Sequence, residues 1–250
     1  MTIEEGSNLD KVVQHLIELR RRLFFIFFSV SICFVLFFYF ATPLFSWLSA
    51  PLLQHLPDRS QMIATSLTST VVVPMKLAFI LALFVNIPFL FYQLWSFVAP
   101  GLYAREQRAI WPLLLASTGL FYCGVAFAYW VAFPLLFKFF IDFAPSTIQV
   151  MPDMAAYISF CLKLLMAFGI SFEVPIIIFL LVKTGICSID AIKKQRPYVF
   201  VGAFIVGMLL TPPDVLSQIL LALPLYGLVE LGLITATLSE KKRRARNEAS

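Results

Sequence analysis

Apolar stretches long enough to cross a lipid bilayer recur along this chain, each closed off by charge or by proline and glycine. Hydrocarbon offers the backbone no hydrogen-bonding partner, so a crossing segment must satisfy its own N–H and C=O groups as a helix, or belong to a closed barrel. About 20 helical residues span the ~30 Å core. On that measure six segments stand out, near residues 23–41, 71–97, 111–140, 157–182, 197–211 and 215–236. With 60% of the 250 residues hydrophobic and 13% charged, the chain reads as an all-α integral membrane protein with six transmembrane helices in one domain over residues 1–250.

An even number of spans puts both termini on one side, and lysine and arginine choose the side. One set of loops holds Lys11, Arg20, Arg21 and Arg22, then Arg105 and Arg108, then Lys183, Lys193, Lys194 and Arg196, then the basic tail 237–250; together they carry 15 of the 19 basic residues. Both termini are therefore expected in the cytosol. Ahead of the first span, Leu9, Val12, Leu16, Leu19 and Leu23 recur at helical spacing, which predicts an amphipathic helix over 10–22 on the cytosolic surface. The acidic start of the chain argues against a cleaved signal peptide.

The spans differ in length. At 1.5 Å per residue the third reaches about 45 Å and the fifth about 22 Å, so the third must tilt, project, or kink near Pro112 or Pro134, while the fifth, one of two short C-terminal spans, thins the bilayer or draws in water. Unequal walls imply a concave body. The external segment 42–70, with Pro43, Pro51 and Pro57, reads as an interfacial cap, and Asp214 stands where it can cap the last helix after a tight turn. Four cysteines without a Cys-x-x-Cys pair and two histidines on opposite sides exclude a disulfide framework or metal centre, and no nucleophile set or phosphate loop is present. No enzyme, cofactor or nucleic-acid partner is expected.

Three acids carry the functional argument. Glu173 interrupts the apolar run 167–181. A charge at the bilayer centre costs roughly 3 kcal/mol on translocon scales, and neutralising a glutamate at pH 7 costs roughly 3.7 kcal/mol; the two are alike, so both protonation states stay open. Its side chain must face protein or water. Glu106 is the one acid in a loop with Phe97, Tyr103, Arg105 and Arg108, and a carboxylate beside aromatic rings offers a guanidinium both bidentate hydrogen bonds and a stacking face. Glu18 lies four residues before Arg22, the order that favours an intrahelical ion pair, and with Arg20 it could equally form part of a docking surface. Gln218 and Glu230 suit hydrogen bonds to a neighbouring helix.

The ordered motifs His15–Leu23, Phe97–Tyr103, Phe172-Glu173-Val174-Pro175, Lys194–Tyr198 and Leu210–Asp214 resemble the TatC family, the multi-spanning core of the bacterial twin-arginine translocase, over about residues 10–236. The resemblance implies a non-enzymatic receptor in the bacterial cytoplasmic (inner) membrane that binds arginine-pair signal peptides of folded proteins. It also implies assembly with the single-span TatA and TatB, as a homo-oligomer within a TatB–TatC complex, for export driven by the proton motive force. By the same resemblance Glu106 and Phe97 match the recognition positions, with Glu18 and Arg20 beside them. Pro51, Tyr129, Glu173 and Asp214 match other sensitive positions, and Met208 and Gln218 match the partner-helix docking region. The family often has a basic residue where this chain has Ala104. The competing reading is a proton-coupled solute transporter using Glu173, Lys163 and Lys76 as a relay, although no internal repeat supports it; a purely structural assembly subunit is the third.

Overall fold

The computed structural model describes residues 2–54, 62–102, 110–143, 151–210 and 215–248. Among them the chain is helical throughout apart from short turns and one isolated bridge, Ile63 with Asp153. In order the helices are α1 Thr2–Tyr39, α2 Ala41–Leu53, α3 Ser69–Val85, α4 Ile87–Leu102, α5 Ile110–Phe127, a π-helical turn Ala128–Ala132, α6 Phe133–Asp142, α7 Met154–Ser171, α8 Val174–Lys183, α9 Ile189–Lys194, α10 Arg196–Leu210 and α11 Val215–Glu248.

Four helical stretches are long and apolar enough to cross a membrane, Leu16–Tyr39, Trp111–Asp142, Met154–Lys183 and Gln218–Lys241, and the bent pair Ser69–Val85 with Ile87–Phe97 makes a fifth. The remaining expected segment is α10, whose 15 residues give only about 22 Å of helix. The helix expected over 10–22 and the first span form one uninterrupted α1, since no proline or glycine separates them.

Proline explains where the other spans change course. In span two Pro88 has no N–H for the carbonyl four residues back, and the helix bends by 52° at Asn86. The Asn86 amide donates to the Ala82 carbonyl at 2.8 Å and its side-chain oxygen accepts from Ser29 of α1. In span three a π turn stands directly ahead of Pro134, one of the two prolines at which the sequence allows a kink: the Phe133 N–H reaches back five residues to the Ala128 carbonyl. In span four Pro175 follows the break at Phe172–Glu173 that separates α7 from α8.

The chain divides into two compact units, residues Met1–Leu44 with Pro74–Thr118, and residues Phe45–Val73 with Gly119–Ser250. In the first, α1 runs along α3 and α4, Phe34 meets Phe79 edge-on, and Trp95 donates to Ser117. In the second, α8 and α10 both lie against α11. Glycine sets how closely its helices approach: a Cβ on Gly124 would stand 2.5 Å from the Phe168 carbonyl oxygen, and one on Gly232 2.9 Å from Pro175 Cα.

Gly124→Ala is therefore expected to lower stability by about 1–3 kcal/mol through overpacking, whereas Gly119→Ala on the same helix, with nothing within 4 Å, is expected to be neutral or slightly stabilising. Thermal unfolding midpoints of the two variants in detergent check the contrast.

Candidate functional site

In the first unit, two interhelical contacts set the register of α1 against α4. Ser29 bonds Asn86, and Arg22 Nη1 bonds the Gln93 side-chain oxygen at 2.9 Å and its carbonyl at 3.3 Å. From one pair to the next the residue number falls by seven on α1 and rises by seven from the bend at Asn86 into α4. The helices are thus antiparallel, and a further step of four residues on each brings Glu18 level with Phe97. The same Arg22 also pairs with Glu18, through Nε at 3.0 Å and Nη2 at 2.6 Å. An exposed pair of this kind adds only about 0.3–0.5 kcal/mol; its effect is geometric. Both contacts fall on Oε1, so Oε2 keeps its accepting capacity.

Glu18 and Phe97 share one level, Phe97 is half-buried one turn beyond Gln93, and Arg20 is exposed on α1. Glu106 and Asp214 lie outside the described residues. Gln93 and the α4 contacts of Arg22 went unread in the sequence, because a glutamine in an apolar run shows no partner until the register is known.

The second unit gives Pro51 and Tyr129 a shared purpose. Pro51 lies inside α2 and has no N–H for the Trp47 carbonyl. The Tyr129 hydroxyl donates to that carbonyl instead, at 3.0 Å, and its ring stacks on Trp47 with centroids 4.4 Å apart. Tyr157, on α7, likewise donates to the Leu48 carbonyl at 2.8 Å. Tyr129 belongs to the π turn, whose wider winding resets the direction of the side chains it carries. Leu48, Ser49 and Leu52 are buried on the inner face of α2.

Asp153 caps α7 and is a second residue the sequence reading missed. Its carboxylate accepts from the Ala156 amide at 2.9 Å, and from the Thr65 hydroxyl at 2.8 Å and amide at 3.2 Å. Backbone bonds beside it, Ile63 N–H to Pro152 and Met154 N–H to Ile63, complete a clasp between residues 63–65 and the start of α7. These donors, the Ala156 amide first, hold the carboxyl below the ordinary carboxylate range.

Glu173 is buried at the α7–α8 break, near the close approaches at Gly124 and Gly232. Lys163, ten residues before it, is exposed. Gln218 Nε2 donates to the Phe204 carbonyl of α10 at 2.9 Å, while Met208 is 53% exposed. Glu230 accepts from Arg196 at 2.6 Å and from Tyr226 at 2.9 Å, so Gln218 and Glu230 both bond within the chain, and the Glu230 pair ties α11 to α10. Among the described residues no group of three or more His, Cys, Asp or Glu could hold a metal.

Residues 14–224 match the model of the Sec-independent protein translocase protein (TatC) family. The chain belongs to the TatC family. It is 49% identical to the Sec-independent protein translocase protein TatC of Escherichia coli O6:H1 (strain CFT073), over 99% of this chain and 95% of that one. It is 47% identical to the Haemophilus influenzae protein of the same name (94% and 93% covered), and 36% identical to that of Aquifex aeolicus (93% and 97%). A crystal structure of the twin-arginine translocase receptor TatC superposes with a TM-score of 0.82 at 37% identity, covering 90% of this chain and 99% of the other. TatC is a component of a protein translocase, and no enzyme family is indicated.

Within this TatC-family fold the Tyr129 bond can be tested against its proline. Tyr129→Phe takes this donor from the Trp47 carbonyl and is expected to cost about 0.5–1.5 kcal/mol. In a Pro51→Ala background residue 51 regains an N–H for that carbonyl, and the cost of Tyr129→Phe should shrink; a double-mutant cycle by chemical denaturation reads the coupling. The Asp153 clasp has a sign fixed by its depressed carboxyl. Its stabilisation is present above the unfolded-state value of about 3.9 and is lost as pH falls through the lower folded one. Hydrogen-exchange protection of the Thr65 and Ala156 amides should drop on acidification below about pH 4, and Asp153→Asn should flatten that dependence.

Proposed function

We propose that this chain is the multi-spanning receptor of a twin-arginine translocase in a bacterial cytoplasmic membrane. In this reading it has six crossings and both termini in the cytosol, recognises arginine-pair signal peptides of folded proteins, and assembles with TatA and TatB, as a homo-oligomer within a TatB–TatC complex. The observation that carries the proposal is the α1–α4 register: Arg22, clamped to Gln93, sets Glu18 level with Phe97, and α4 ends at Leu102, four residues before Glu106. An arginine pair offers two planar cations. Glu106 takes one guanidinium in a bidentate pair, Phe97 supplies a face for stacking, and Glu18 Oε2 accepts from the second. Arg20 belongs to the surrounding surface.

The other matched positions divide between shaping and contact. Pro51 and Tyr129 hold α2. Glu173, buried at a break in span four, anchors a partner helix or an inserted signal peptide. Met208 is presented to a partner helix, and Gln218 fixes the α10–α11 pair behind it. An exposed Lys163 ten residues before a buried Glu173 gives little support to the proton-relay transporter.

A purified preparation should bind an arginine-pair signal peptide about tenfold or more tightly than its double-lysine variant, since a lysine cannot form the bidentate pair. Glu106→Ala should erase that preference, and Gln93→Leu should weaken it by loosening Arg22. Equal binding of the two peptides to the unaltered protein would sink the proposal.

A further inference from the structure

A cavity of about 1040 Å³ opens where the end of α8, the turn 185–188, α9 and α11 meet, and it is lined by none of the residues assigned a role above. Its depth in the membrane follows from the helices that frame it. The apolar stretches of α8 and α11 end at Lys183 and Lys241, and both residues line the cavity. The cavity therefore lies where hydrocarbon gives way to headgroups. Gly185, with φ of +77°, reverses the chain there, a conformation that favours glycine.

The lining is amphipathic along the membrane normal. Phe179 lies four residues before Lys183 and Ala236 five before Lys241, so these apolar walls stand about 6–8 Å deeper than the cations. At the shallow level are Lys183, Lys193 and Lys241, with two acids, Asp190 and Glu240. Asp190 is 4.0 Å from Lys193 and both are exposed, a pair that water screens to little effect. The three lysines leave one positive charge in excess, and the adjoining sequence adds Lys194 on one side and Lys242, Arg243, Arg244 and Arg246 on the other. The field over the opening favours an anion, and the walls beneath it favour hydrocarbon.

We propose that this cavity is a binding site for an anionic glycerophospholipid, its phosphate among Lys183, Lys193 and Lys241 and the first carbons of an acyl chain against Phe179, Val182 and Ala236. The volume suits part of a lipid, being at the upper end of the ~300–1,000 Å³ common for ligand sites. The lipid wedges between the ends of α8 and α11, next to the cluster in which Ile178, Val229, Leu233 and Ala236 pack together. The inference is independent of the signal-peptide reading.

The test is native mass spectrometry of the full chain with phosphatidylglycerol or phosphatidylcholine, combined with a photo-activatable phosphatidylglycerol to map the site. The variant K183Q/K193Q/K241Q should lose retention of phosphatidylglycerol on the order of a hundredfold, while K242Q/R243Q/R244Q/R246Q, which alters only the tail, should lose far less. Label should fall within residues 179–193 and 236–241, and millimolar inorganic phosphate should not displace the lipid. Unchanged retention in the first variant, equal retention of the two lipids, a loss explained by the tail alone, or displacement by inorganic phosphate would each overturn the proposal. So would a protein adduct trapped by a cross-linker on Cys187, which lines the cavity, with no lipid label there.

Discussion

A backbone that crosses hydrocarbon must find every hydrogen bond within the protein, and proline makes that requirement hardest to meet. Each proline removes one N–H and so strips a partner from the carbonyl four residues earlier. Pro51 does this to Trp47, and the hydroxyl of Tyr129 replaces the missing donor. Pro88 does it beside the 52° bend at Asn86, where the asparagine amide bonds back to Ala82 and its oxygen ties the bend to Ser29. Pro134 follows a π turn and Pro175 follows the break at Glu173. Three of the positions that the family resemblance marks as sensitive, Pro51, Tyr129 and Glu173, belong to these repairs or interruptions. Pro74 and Pro224 show the limit of the rule, since α3 and α11 continue through them.

The same accounting explains why the α1–α4 pair is a dependable platform. Apolar helices in lipid gain little from hydrophobic contact with one another, so small residues and isolated polar bonds set their register. Ser29 with Asn86 and Arg22 with Gln93 are two such bonds spaced seven residues apart. Two points fix a register where one would allow slippage. The level match of Glu18 with Phe97 then follows from helix geometry alone.

How much of this was legible in the sequence depended on whether a property is local. Apolar length is local, so long apolar helices stand where hydropathy is high, and the Glu18–Arg22 pair forms at its i,i+4 spacing. Proline is local too, so Pro134 stands among the candidate sites of distortion, although nothing in the sequence distinguishes it from Pro112 or specifies a π turn. The partners of Tyr129, Gln93 and Asp153 are 82, 71 and 88 residues away. No periodicity encodes a contact across that separation. Asp153, which the sequence reading passed over, caps α7 locally, and only the folded chain adds Thr65 to it.

Glu173 shows how the two kinds of information combine. Its sequence setting gave a cost for either protonation state and no preference between them. The fold places it at a helix break rather than in the middle of a continuous span, with Pro175 following and glycines at Gly124 and Gly232 drawing α5 and α11 close. A break widens the choice of backbone groups that a carboxyl can meet, and close helix approach limits the space for water. Both favour a side chain held in a fixed place, which is what the anchoring role proposed for Glu173 needs.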